Sequence, residues 1–133
     1  MIDALFPYVA ETRGVTVRVS ANYLPEQSQP GGGRWFWAYH IRIHNSGPIA
    51  VQLLTRRWEI LDGRGALQIV QGDGVIGEQP IIEPGQNYDY VSGCPLTTSS
   101  GSMVGSYRML GEDGAMFDVA IPRFELRAPV VQG

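Results

Sequence analysis

The residues with the clearest chemical meaning in this chain are three glycines, Gly72, Gly74 and Gly77, in a G-x-G-x-x-G pattern. In nucleotide-binding proteins this pattern lets the backbone approach a pyrophosphate. The dinucleotide site also needs a helix directly after the glycines, because the helix N-terminus holds the phosphates. Here Pro80 and a turn at residues 83–85 leave no room for that helix. The spacing therefore excludes a Rossmann site.

Two interpretations of this glycine loop stay open. Backbone N–H groups of a glycine-rich loop between two strands can form a nest for an anion, so pyrophosphate or a nucleotide is one expected ligand. The alternative is a structural turn in which the glycines supply positive φ. Asp73 and Glu78 place negative charge in and beside the loop, and all ten basic residues of the chain are arginines. This charge distribution favours the turn.

The two histidines do not predict a metal site. His40 and His44 are four residues apart in a strand pattern, which separates their Cα atoms by ~13 Å. A single zinc ion, with bonds to nitrogen of ~2.1 Å, does not bridge that distance. Acidic residues of the central third fall mostly at turns and lack the spacing of a calcium loop: Asp62, Asp73, Glu78, Glu83 and Asp89. No metal and no cofactor is expected.

A nucleophile is equally hard to place. Cys94 lies between Gly93 and Pro95 without an adjacent base, as expected of a small buried thiol. As the single cysteine, it also excludes an intrachain disulfide and a C-x-x-C zinc pair. The serines and threonines of residues 97–102 are not part of a G-x-S-x-G elbow. We therefore predict no catalytic residues and a non-enzymatic protein.

Charge and hydropathy exclude two further classes. The net charge of −3 gives no footprint for nucleic acid. An aromatic platform at residues 35–39 would suit single-stranded nucleic acid, but its tryptophans fall on the face most easily assigned to the core. No apolar run approaches the ~20 residues of a membrane span. Residues 1–10 lack the pattern of a signal peptide, so a cytoplasmic location is the default expectation.

The elements that would position these residues are strands. Residues 15–24 alternate cleanly between apolar and polar side chains. Residues 35–45 are the longest strand candidate, with aromatic and aliphatic residues on one face and His40, Arg42 and His44 on the other. In residues 49–61 the same alternation directs Arg56 and Arg57 to opposite faces. Shorter candidates follow at residues 66–71, 79–82, 88–93, 102–110 and 116–126, with polar loops at residues 25–34 and 94–101. About eight evenly spaced strands predict an all-β sandwich or barrel in one domain, residues 1–133.

Three local features refine this prediction. Pro122 interrupts the last strand, which therefore lies at a sheet edge or carries a bulge. Tyr88 follows Pro84 and opens a strand, as at the tyrosine corner of fibronectin type III domains, so its hydroxyl is expected to bond to upstream backbone. Residues 1–14 are expected to be irregular or less ordered.

Several segments together resemble the ApaG family over nearly the whole chain. The similarity is carried by residues 24–28 (LPEQS), 51–54 (VQLL), 72–80 (GDGVIGEQP), 84–85 (PG), 92–96 (SGCPL), 101–107 (GSMxGxY) and 117–122 (FxVxIP). The resemblance implies an immunoglobulin-like or fibronectin type III-like β-sandwich of about seven to eight antiparallel strands. Among functional positions it carries over only Gly72, Gly74 and Gly77, and it implies no catalytic residue.

The resemblance also implies a biological setting. Bacterial ApaG proteins are linked with cobalt resistance and magnesium efflux, and ApaG-like domains within larger eukaryotic proteins resemble protein-interaction modules. The first expectation is therefore a small binding module with a protein partner, held by β-augmentation at an edge strand, or a homodimer through that edge. The second is a sensor that binds pyrophosphate, a dinucleotide polyphosphate or a divalent cation at the glycine loop.

Overall fold

A computed structural model describes residues 5–129, whose strands alternate with tight turns. In this range the strands number nine: β1 Tyr8–Thr12, β2 Val15–Tyr23, β3 Trp35–Asn45, β4 Val51–Asp62, β5 Leu67–Asp73, β6 Ile81–Ile82, β7 Asn87–Leu96, β8 Ser100–Gly111 and β9 Met116–Arg127. Two short 3-10 turns, Pro25–Gln27 and Pro30–Gly32, occupy the connection between β2 and β3.

The strands form two antiparallel sheets. One has the order β1-β2-β3-β7, and the other has the order β5-β4-β8-β9, with β6 paired to the start of β4. Apolar side chains alternate along the long strands and meet between the sheets, as β3 shows with buried Trp37, Tyr39, Ile41 and Ile43. The predicted fold class, an all-β sandwich of antiparallel strands, is confirmed.

An aromatic cluster holds the two sheets together. Tyr39 of β3, Trp58 of β4 and Phe124 of β9 pack with ring centroids 5.5 to 5.8 Å apart. All three side chains are buried, and Phe124 is fully buried. Rings of this size supply much of the apolar area that a core removes from water, and their tilted and edge-on arrangement is the favoured one.

The β9 edge of the second sheet is covered. Backbone N–H groups of Ala120 and Glu125 donate to the hydroxyls of Thr12 (3.1 Å) and Tyr8 (3.4 Å) on β1. Pro122 lies where the register between β8 and β9 shifts by one residue, so this edge strand also carries a bulge. The prediction from Pro122 is confirmed, and β1 and β9 close this side of the sandwich.

Two strand predictions are wrong. No strand was predicted before residue 15, but Tyr8–Thr12 forms β1, which pairs with β2 through a tight turn at Arg13 and Gly14. The expected irregular start of residues 1–14 falls in part on residues 1–4, which lie outside the described residues. Residues 94–101 were expected to be a polar loop, but β7 continues to Leu96 and β8 begins at Ser100. The predicted strand ended too early because Pro95 was taken as a strand breaker. Proline is compatible with β7 because β7 is an edge strand, whose outer side needs no N–H donor.

The tyrosine-corner prediction is also wrong. Tyr88 donates from its hydroxyl to the carboxylate of Glu78 at 2.9 Å, rather than to upstream backbone. The glycine loop brings Glu78 beside β7, and the carboxylate is a stronger acceptor than a carbonyl. The contact joins the loop to the neighbouring sheet.

Candidate functional site

The glycine loop is a two-residue hairpin turn. Val75 and Glu78 each donate a backbone N–H to the carbonyl oxygen of the other, at 2.8 and 2.9 Å. The residues between them, Ile76 and Gly77, have φ of 41° and 80°, as a type I′ turn requires. Gly72 lies outside this turn, within β5.

Each glycine of the pattern has a steric reason in the fold. A Cβ on Gly74, where φ is +61°, would lie 2.1 Å from the carbonyl oxygen of Glu78. Gly77 has open space around it but a φ of +80°. A Cβ on Gly72 would lie 3.0 Å from both terminal guanidinium nitrogens of Arg56. The backbone conformation of the turn accounts for Gly74 and Gly77, whereas Gly72 leaves room for the Arg56 side chain.

Arg56 anchors the loop to β4. Its Nη1 donates to the carbonyl oxygens of Asp73 (3.0 Å) and Gly74 (2.8 Å), across the face of Gly72. The N–H of Gly74 in turn donates to the carbonyl of Leu54 at 2.8 Å. Because the amides of Gly74, Val75 and Glu78 already donate to backbone carbonyls, these three N–H groups are not available to an anion.

A buried tyrosine pair lies between the sheets near Arg56. The hydroxyls of Tyr90 and Tyr107 hydrogen-bond to each other. Burial raises the pKa of Tyr90 and of Tyr107, and burial also raises the pKa of Tyr39 despite its bond to Ser92. Phenols with raised pKa values stay protonated at neutral pH, so the pair satisfies its own polar atoms and does not supply a base.

The outer face of the first sheet carries an ion-pair cluster. Asp89 accepts from His40 Nε2 (2.9 Å) and from two guanidinium nitrogens of Arg42 (2.8 and 3.0 Å). Burial raises the pKa of Asp89, but the bonds from Arg42 and His40 outweigh it and leave that pKa below its usual value. Phe6, which is buried, packs over both His40 and Arg42. Asp89 lies on β7, within the strand predicted at residues 88–93, and its side chain is paired rather than simply solvated.

The remaining candidate groups are also engaged or buried. His44 pairs with Asn87 rather than approaching His40. Burial raises the pKa of the Cys94 thiol to about 11, so this sulfur is protonated at neutral pH. Over residues 5–129, no group of three or more His, Cys, Asp or Glu side chains is placed to hold a metal ion. No helix in the same range is long and apolar enough to cross a membrane.

Sequence reasoning missed the free edge of β5. The hairpin that joins β4 to β5 is closed by a bond from Asp62 N to Ala66 O. Hydrogen-bonded and non-hydrogen-bonded residue pairs alternate along an antiparallel ladder. Counting from the hydrogen-bonded pair Asp62–Ala66, the non-hydrogen-bonded pairs on β5 are those of Leu67, Ile69 and Gln71. Their N–H and C=O groups point away from β4. The alternation of β5 was visible in the sequence, but its place at an edge depends on long-range pairing.

Apolar side chains follow this free edge. Leu67 and Ile69 are 56% and 50% exposed on the outer face of β5. Beside them a groove of about 550 Å³ separates β5 from the end of β7. Ile60 and Leu96 contribute apolar surface to the groove, and Arg34 contributes a positive charge.

These features define an immunoglobulin-like β-sandwich protein in which β5 is an open edge strand with exposed apolar side chains. A sequence model of the ApaG domain matches residues 25–111, and the chain belongs to the ApaG family. It is 55% identical over 125 residues to Protein ApaG of Afipia carboxidovorans, with 94% of this chain and 96% of the relative covered. Protein ApaG of Brucella canis is 52% identical over 122 residues, covering 92% and 94%.

Solved structures agree with this assignment. The crystal structure of an ApaA protein from Bordetella pertussis superposes with a TM-score of 0.85 and 42% identity, covering 94% of this chain and 100% of that one. The C-terminal domain of Wzt superposes with a TM-score of 0.55 and 10% identity, covering 94% and 79%. The second similarity shows a common fold alone.

Proposed function

We propose that this protein is a non-enzymatic binding module that receives an extended segment of a partner protein along the free edge of β5. The observation that carries the proposal is the row of outward backbone groups at Leu67, Ile69 and Gln71, flanked by exposed apolar side chains. An edge strand of this kind is a template for another chain, which adds main-chain hydrogen bonds and buries alternate side chains.

Comparison of the edges supports β5 as the receptive one. Natural sheets protect their edges with prolines, charges, bulges or covering segments. The β9 edge has Pro122, a bulge and the cover of β1. The β7 edge carries Pro95 and the ion pair of Asp89. In β5, by contrast, LQIVQ presents five consecutive uncharged residues before Gly72 and Asp73.

The proposed role is compatible with the link between the ApaG family and cobalt resistance or magnesium efflux. A small β-sandwich acting in the cytoplasm would influence cobalt resistance or magnesium efflux indirectly, through the protein whose segment it holds. Catalysis is not part of this role, because the groups that could act as base or nucleophile are protonated, paired or buried.

Gln71→Pro is expected to weaken peptide binding about tenfold or more relative to Gln71→Ala. The proline removes an outward N–H without disturbing the hydrogen bonds between β4 and β5. The peptide then loses one main-chain hydrogen bond and is crowded by the proline ring, which together account for a tenfold loss of affinity. Ten-residue peptides would first be selected by display on the immobilised wild-type protein. Calorimetry would then compare the wild type and both variants, with circular dichroism to verify folding. Failure to enrich any peptide, or equal affinity in the two variants, would refute the proposal.

A second candidate is a sensor of pyrophosphate, a dinucleotide polyphosphate or a divalent cation near Gly72, Gly74 and Gly77. Its support is a depression of about 470 Å³ beside Gly72 that Arg57 and Arg108 also line. We expect pyrophosphate or diadenosine tetraphosphate, with or without Mg²⁺ or Co²⁺, to bind more weakly in Arg108→Ala. Backbone NMR should show shifts at Gly72 and Asp73, which line the depression. A flat calorimetric titration at millimolar ligand would remove this candidate.

A further inference from the structure

Arg34 lies at the groove between β5 and β7 and, within residues 5–129, has no partner for its charge. The groove is lined by Leu67 of β5, Pro95 and Leu96 of β7, and Ile60 of β4. Arg34 lies at the end of the turn that precedes β3 and is exposed. Over residues 5–129, its guanidinium forms neither an ion pair nor a hydrogen bond.

The one acidic residue that lines this groove already accepts two backbone hydrogen bonds. Asp62 also lines the groove, but its Oδ1 accepts the backbone N–H groups of Arg64 (2.8 Å) and Ala66 (2.9 Å) in the β4–β5 turn. Other arginines are neutralised within the fold: Arg42 pairs with Asp89, and Arg108 pairs with Asp118. The groove therefore combines apolar surface with a guanidinium that forms no ion pair with the described residues, Asp62 included.

We infer that the segment received at β5 carries an apolar side chain that fills this groove and, close to it, an acidic side chain that pairs with Arg34. This inference rests on the proposed function. A strand that pairs with Leu67 passes the mouth of the groove, and alternate residues of that strand direct their side chains to one face. An acidic side chain at the groove satisfies the guanidinium, which prefers the planar carboxylate as a partner.

Charge reversal tests the inference with a matched control. Arg34→Glu and Arg64→Glu change the net charge equally, but Arg64 does not line the groove. The peptides selected on the wild-type protein should share an Asp or Glu at a fixed distance from an apolar residue. Arg34→Glu should weaken their binding about five- to tenfold, whereas Arg64→Glu should stay within about twofold. A peptide with Lys in place of the acid should prefer Arg34→Glu over the wild type.

The other possible outcomes would overturn the role of Arg34, the identity of the bound segment, or binding at β5 itself. Peptides that lose affinity in Gln71→Pro but show no acidic preference would overturn the role of Arg34 and leave binding at β5 intact. Equal effects of Arg34→Glu and Arg64→Glu would do the same, because they indicate a general field effect. A concentration-dependent dimer in analytical ultracentrifugation, lost in Gln71→Pro, would make a second copy the occupant. Equal affinity of Gln71→Pro and Gln71→Ala would instead overturn the proposed function.

Discussion

Gly74→Ala is expected to lower the free energy of unfolding by about 2–5 kcal/mol. The left-handed backbone at Gly74 costs about 1–2 kcal/mol for a residue with a Cβ. Its Cβ would also meet the backbone of Glu78 at 2.1 Å, and relief of such crowding costs roughly 1–3 kcal/mol more. Urea denaturation followed by circular dichroism would measure the change, which a domain of ordinary stability survives.

Gly77→Ala is the matched control within the same loop. Gly77 has the left-handed backbone but nothing within 4 Å of the added methyl group, so about 1–2 kcal/mol is expected. Equal losses for Gly74→Ala and Gly77→Ala would contradict the close contact with Glu78. The comparison therefore tests the steric reason for Gly74 separately from its backbone conformation.

Phe124→Ala is expected to destabilise the protein by about 3–5 kcal/mol. Phe124 is fully buried and packs against Tyr8 of β1, Tyr39 of β3 and Trp58 of β4. Its removal leaves a cavity that rigid strands from two sheets cannot close, and truncations of buried aromatic residues cost this much. Urea denaturation again gives the free energy.

Phe117→Ala serves as the control on the same strand. Phe117 is only half-buried and packs at the margin of the core, under the guanidinium of Arg13. About 1–2 kcal/mol is expected there, because less apolar surface leaves water in the native state. A loss below about 2 kcal/mol for Phe124→Ala would show that the two sheets are held together elsewhere.

Long, regular strands were readable from the sequence. The strand at residues 35–45 was predicted with its correct bounds, because every second residue from Trp35 to Ile43 is aromatic or β-branched and a turn sequence follows Asn45. The hairpin turn at residues 62–65 was readable for a similar reason, since Asp62 and Gly65 supply the side-chain acceptor and the positive φ that it needs. Local signals of this kind do not depend on distant pairing.

Strands with weak local signals were not readable. In β1 the exposed side chains Val9 and Glu11 differ little in pattern from an irregular segment, and the turn to β2 places Arg13 at a φ of 50°. A non-glycine residue in that conformation gives no sequence signal. The continuation of β7 through Pro95 was hidden because a proline is informative only when the edge position of the strand is known.

The candidate site was readable only in part. The glycines stood out, but the contact between Gly72 and Arg56 depends on pairing between β4 and β5, sixteen residues apart in sequence. The receptive edge was expected as a general property of sandwiches, whereas its location on β5 required knowing which other edges β1, Pro122 and Pro95 protect. Edge position is a property of topology rather than of local sequence.

The closure of one side of the sandwich by β1 and β9 has a consequence for assembly. A sheet that grows into a fibril needs an acceptor at both ends, so that each added molecule exposes a new one. Here the sheet containing β5 is sealed at β9 by the hydroxyls of Tyr8 and Thr12. A segment added at β5 would therefore extend this sheet at one end only, so that this sheet would accept a single added strand per molecule.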